Sequence, residues 1–85
     1  MARDVLIIPG IGDDVEGVER QTSHWREAGV DPVVAPAHWD APLETFEETV
    51  DLLLQLAAEK TAIVGISAGG SLAVYLASRT GLPCI

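Results

Sequence analysis

Apolar positions along the chain follow two alternating rhythms, short β-rich runs and longer stretches with helical spacing. Val5-Leu6-Ile7-Ile8 is an unbroken run closed by Pro9-Gly10. It predicts a strand buried on both faces, as in a parallel sheet. The acidic, glycine-rich loop Gly10-Ile11-Gly12-Asp13-Asp14 comes next. From Glu16 to Ala28 the spacing is helical, with Val18, Thr22 and Trp25 on one face and Gly29 as the stop. Val30 to Ala35 predicts a second strand, closed by Pro36 and followed by the loop Ala37-His38-Trp39-Asp40-Ala41-Pro42. Thr45-Phe46-Glu47-Glu48 has capping-box spacing, and Phe46, Val50, Leu53, Leu54 and Ala57 continue it as a helix. Thr61 to Gly65 predicts a third strand, and Ala68 to Ser78 a third helix stopped by Gly81 and Pro83. Leu82-Pro83-Cys84-Ile85 begins a fourth strand.

Strand and helix alternate throughout. The pattern is a run of βαβ units, so the expected fold class is α/β: a three-layer α/β/α arrangement with a parallel sheet and helices on both faces. No repeat, low-complexity segment or linker interrupts it. The 85 residues, 48% of them apolar, suffice for one small domain. A parallel sheet of three strands leaves an edge unpaired, so residues 1–85 are expected to be the N-terminal portion of a larger domain, or to self-associate through that edge.

Charge narrows the partners. The net charge is -8, and the five Lys and Arg are scattered. Nucleic acid and anionic membrane surfaces both call for clustered positive charge and are not expected. No stretch is long and apolar enough to span a bilayer, and Val5–Ile8 is too short for a signal-peptide core. A single thiol, Cys84, cannot form an internal disulfide, which points to the cytoplasm; it is expected to be small and buried.

The candidate chemistry sits after the third strand. Gly65-Ile66-Ser67-Ala68-Gly69 fits G-x-S-x-G, with a buried strand before it and a helix after it. On such a turn the serine is pushed out over the sheet edge. The residues two positions either side, Gly65 and Gly69, are small because larger side chains would collide with the neighbouring strand and helix. The competing readings are an ordinary turn with Ser67 as helix N-cap, and a phosphate-binding turn of a flavodoxin-like or nucleotide-binding domain. Neither G-x-G-x-x-G nor a P-loop lysine is present. Acyl transfer also needs donors for the oxyanion. The expected donors are the backbone amides of Ala68 and of Ile11 or Gly12, with Gly10 and Gly12 letting that loop approach.

Val5-Leu6-Ile7-Ile8-Pro9-Gly10-Ile11-Gly12 followed by Gly65-Ile66-Ser67-Ala68-Gly69-Gly70 resembles the first half of the α/β-hydrolase superfamily. The Pro-Gly-x-Gly start is most similar to small serine hydrolases related to retinoblastoma-binding protein 9. The likeness implies a partial α/β-hydrolase fold, three strands and three helices with a fourth strand only begun. It implies a serine hydrolase of esterase or thioesterase type, Ser67 as nucleophile, an ester, thioester or amide substrate and no cofactor. Pro9 and Ile66 stand where many members carry His; neither position belongs to the triad. The family's triad order is nucleophile, acid, histidine. No Asp, Glu or His follows Ser67 here, so the acid and the histidine are expected beyond Ile85, and these residues alone are expected to be inactive.

Other polar residues carry weaker signals. His24 reads as surface or helix packing. His38, with Trp39, is placed to line a pocket at the edge where Ser67 emerges, but in the wrong chain position for the triad base. Asp13 and Asp14 read as a solvated loop or helix cap rather than a metal site. Glu44, Glu47, Glu48 and Asp51 lie near a helix start, which stabilises negative charge. The main alternative to an enzyme is a non-catalytic binding or interaction module that pairs its sheet edge with another chain.

Overall fold

The three short β-rich runs become three parallel strands. The computed structural model describes residues 3–35, 37, 39 and 42–85. Strand β1 (Arg3–Ile8) lies in the middle, between β2 (Val30–Val34) and β3 (Ala62–Gly65). Val5 pairs with Pro32 on one side and with Ala62 on the other. The central place of β1 explains its run of large apolar residues: Leu6, Ile7 and Ile8 are fully buried. Burying each is worth about 1.5–3 kcal/mol. Pro32 lacks an amide donor and sits in β2, on a strand with one neighbour, where that lack is tolerated.

The side chains of β1 alternate between two cores. Leu6 and Ile8 join Ile63 against Leu53 and Ala57 of α2 (Leu43–Ala57) and Leu72, Ala73 and Leu76 of α3 (Gly69–Thr80). Val5 and Ile7 join Val34 on the opposite face, against Val18 of α1 (Val15–Thr22) and the half-buried Trp25. The result is the expected three-layer α/β/α arrangement.

Three local expectations need correction. The first helix does not run unbroken to Ala28; α1 ends at Thr22 and residues Ser23–Ala28 form a 3₁₀ segment capped by Gly29 in the left-handed region. The hydroxyls of Thr22 and Ser23 donate back to the carbonyls of Val18 (2.8 Å) and Arg20 (3.1 Å), a habit that bends and destabilises α-helix. The buried face is still the expected one, Val18 and Thr22 with Trp25. Helix α2 starts before its capping-box signal: Pro42 is the N-cap, and its carbonyl accepts from the Phe46 amide at 2.9 Å. Thr45 is therefore inside the helix, where its carbonyl receives the Thr49 hydroxyl (3.1 Å). Cys84 is exposed rather than buried.

Cys84 lies on a segment that does begin a fourth strand. Ile63 donates to the Pro83 carbonyl, Ile85 donates to Ile63, and Gly65 donates to Ile85, each at 2.9 Å. The pairing is parallel, on the edge of β3 away from β1. Among the described residues, no helix is long and apolar enough to cross a membrane.

Candidate active site

All strands point the same way, so the loops after β1, β2 and β3 gather at one sheet edge. The loop after β3 is the tightest. Ile66 donates to the Ile8 carbonyl at 3.0 Å, extending the β1–β3 ladder by one bond. The next residue, Ser67, turns to φ 53°. Among the described residues it is the only non-glycine with positive φ. That region costs a side-chain-bearing residue about 1–2 kcal/mol. The chain then enters α3 at once, with the Gly69 amide on the Ile66 carbonyl (2.8 Å) and the Gly70 amide on the Ser67 carbonyl (2.9 Å).

The two flanking glycines are there for lack of room. A Cβ on Gly65 would lie 2.6 Å from the Gly69 carbonyl oxygen. A Cβ on Gly69 would run into the Ile8 carbonyl oxygen and come within 2.9 Å of that of Pro9. Strand, turn and helix are thus in backbone contact, and Ser67 is left exposed at the tip. Ser67 does not cap the helix. The N-cap of α3 is Ala68, with no side-chain capping bond. Among the described residues, the Ser67 hydroxyl has no hydrogen-bond partner.

The loop after β1 closes against this turn. The Asp13 amide donates to the Gly10 carbonyl (3.2 Å), and Gly12 has φ 87°. These are the features of a type II turn, whose third residue must be left-handed and so is glycine. The Asp13 carboxylate secures the turn from the other side, accepting from the Gly10 amide at 3.0 Å. Gly10 itself abuts the elbow: a Cβ there would be 2.9 Å from the Ile66 carbonyl oxygen and 3.1 Å from Ser67 Cβ. Among the described residues, no acceptor takes the amides of Ile11, Gly12 or Ala68. The Ile11 side chain stands 71% exposed at the rim.

The loop after β2 contributes Trp39. Its indole Nε1 donates to the Pro9 carbonyl at 3.0 Å, and its ring packs on Phe46 with centroids 5.7 Å apart. Trp39 therefore ties the second loop to the first, directly beside Gly10, and is half-buried against the core. His38, the other expected lining residue, lies outside the described residues. His24 is exposed on the 3₁₀ segment. Asp14 caps α1 through the Gly17 amide.

The sequence placed Ser67, Gly10, Gly12, Gly65 and Gly69 at this edge. It missed two positioning contacts. The bond from Trp39 to Pro9 bridges thirty residues, and no local signal encodes it. The role of Asp13 had a signal, an acidic side chain three residues after a glycine in a turn-forming stretch. Compared with models of known protein families, with curated proteins and with solved structures, the chain matches none.

Proposed function

We propose that this chain carries the nucleophile half of a serine hydrolase of esterase or thioesterase type. Ser67 attacks the carbonyl carbon of an ester, thioester or amide. Its proton passes to a histidine base, the C–O, C–S or C–N bond breaks, and the leaving group takes that proton. Water then hydrolyses the acyl-serine by the same route in reverse. The amides of Ala68 and Ile11 receive the oxyanion. The histidine and its acid come from residues outside these 85. A cytoplasmic setting belongs to the same proposal, since a lone thiol needs no oxidising compartment.

The observation that carries the reading is the backbone of Ser67. A turn that served only to join β3 to α3 would relieve φ 53° with glycine, as the loop after β1 does at Gly12. Here a hydroxyl-bearing residue is held in strain with its side chain exposed and unengaged. A phosphate-binding turn is less well supported. It needs several free amides at the helix start, and those of Gly69, Gly70 and Ser71 are engaged by Ile66, Ser67 and Ala68.

The test is covalent labelling of the native gene product with a fluorophosphonate. The label is expected on Ser67, and Ser67→Ala is expected to abolish both labelling and ester hydrolysis. Unchanged labelling and turnover in that variant would sink the reading.

A further inference from the structure

Resting on the hydrolase reading, we infer that Asp13 is a positioning residue for the oxyanion site. Its carboxylate holds the loop after β1 so that the Ile11 amide reaches the place where the substrate's carbonyl oxygen gains charge. Gly10 and Asp13, the two ends of the turn, bond to each other twice. The Asp13 amide donates to the Gly10 carbonyl at 3.2 Å, and the Gly10 amide donates to Asp13 Oδ2 at 3.0 Å. The outer amides of the turn are thereby both satisfied. The two amides between them, of Ile11 and Gly12, have no acceptor among the described residues. A turn closed in this way offers its middle amides to a ligand and withholds its outer ones.

The double bond between the turn's ends matters because of what Gly10 touches. A Cβ built on Gly10 would lie 2.9 Å from the Ile66 carbonyl oxygen, 3.1 Å from Ser67 Cβ and 3.2 Å from Asp13 Oδ2. Gly10 is thus wedged between the nucleophile's own turn and the Asp13 carboxylate. Upstream, the Trp39 indole holds the Pro9 carbonyl at 3.0 Å; downstream, Asp13 holds Gly10. The distance from the Ile11 donor to Ser67 is set through that one fixed residue. Without the carboxylate the turn keeps a single backbone bond, and its middle can tilt. Oxyanion stabilisation is sensitive to such tilting, since a misplacement of about 1 Å can cost about a hundredfold in rate. The bond asks for an acceptor oxygen at the reach of an aspartate side chain. It does not ask for the charge, which beside a developing oxyanion works against the reaction. Asp13 is exposed, so water screens that repulsion.

The experiment uses the native gene product and p-nitrophenyl acetate, with kcat counted per folded molecule. Acylation and deacylation both pass through an oxyanion, so kcat reports the site whichever step limits. Asp13→Ala is expected to lower kcat by about ten- to hundredfold while KM stays within about twofold. Asp13→Asn keeps an acceptor oxygen at the same reach and is expected to stay within about threefold of the parent. Asp13→Glu keeps the charge but moves the oxygen by a methylene, and is expected to fall well below the Asn variant. Asp14→Ala, whose lost bond is to Gly17 in α1, is expected to melt earlier and to keep the parent's kcat. A parental kcat in Asp13→Ala overturns the inference. So does an Asn variant as slow as the Ala variant, or an equal fall in Asp14→Ala. Should Asp13→Ala not fold, the Asn and Glu variants decide: a Glu variant as fast as the Asn variant overturns the inference. All of these outcomes leave the hydrolase reading standing. Hydrolysis that survives Ser67→Ala, or that the parent lacks, overturns that reading and this inference with it.

Discussion

Gly69 and Gly70 are adjacent, identical residues with opposite expected responses to the same change. A methyl group on Gly69 meets the carbonyl oxygens of Ile8 and Pro9, which belong to or follow the central strand and cannot retreat. A methyl group on Gly70 meets nothing within 4 Å. Gly69→Ala is expected to lower unfolding stability by about 2–4 kcal/mol, whereas Gly70→Ala is expected to be neutral or to stabilise by up to about 1 kcal/mol. Urea midpoints of the two variants, measured side by side, check this; a Gly69→Ala midpoint equal to the parent's would mean that helix and strand are not in backbone contact at the elbow. The need for glycine here was legible from the motif. The atoms that impose it were not, because they belong to a strand about sixty residues earlier in the chain.

At the scale of elements, the strands were read more faithfully than the helix ends. Short β-rich runs closed by Pro or Gly and separated by helical stretches have one good solution, strands of a parallel sheet, so β1, β2 and β3 appeared where the runs lie. Helix ends depend on competing local bonds. The hydroxyls of Thr22 and Ser23 interrupt α1 by bonding backward, and Pro42 starts α2 before the capping signal at Thr45. One cap is clear in both sequence and structure. Asp14→Ala is expected to cost about 1 kcal/mol through loss of the α1 N-cap, with Asp14→Ser recovering most of it in thermal melts. The cross-loop bond from Trp39 can be separated from its packing. Trp39→Phe keeps an aromatic ring against Phe46 but removes the donor to Pro9. It is expected to cost about 1 kcal/mol and to slow labelling of Ser67 more than that loss of folded protein explains. A labelling rate equal to the parent's would show that the two loops hold their places without it.

For the whole molecule the important interface is the outer edge of β3. Residues 83–85 occupy it through three backbone bonds, and the sheet face beside it is only partly covered. Val5, Trp25, Val30, Ala62, Val64 and Ile85 line an open apolar groove of about 520 Å³ there, with Ile85 77% exposed. Removing residues 82–85 leaves the amides of Ile63 and Gly65 without their acceptors and presents a bare parallel edge. The shortened chain is expected to self-associate with rising concentration, seen as a shift to larger species in sedimentation velocity. A monomer at all concentrations would mean that the edge is protected in some other way. The sequence indicated a fourth strand at this point, since Leu82-Pro83-Cys84-Ile85 has strand-like composition. It did not indicate that the segment would leave its cysteine exposed, because exposure depends on what lies beyond the edge rather than on the residues themselves.

The φ of Ser67 has a consequence for selection. Serine codons of the AGC and AGT type become glycine codons by a single base change, and glycine occupies φ 53° without penalty. Ser67→Gly is therefore expected to raise the melting temperature while removing the hydroxyl. Random mutagenesis screened for heat resistance would enrich this inactive variant, and one screened for turnover would eliminate it. Running both screens on one library would show whether the strain at this position is retained for its chemistry.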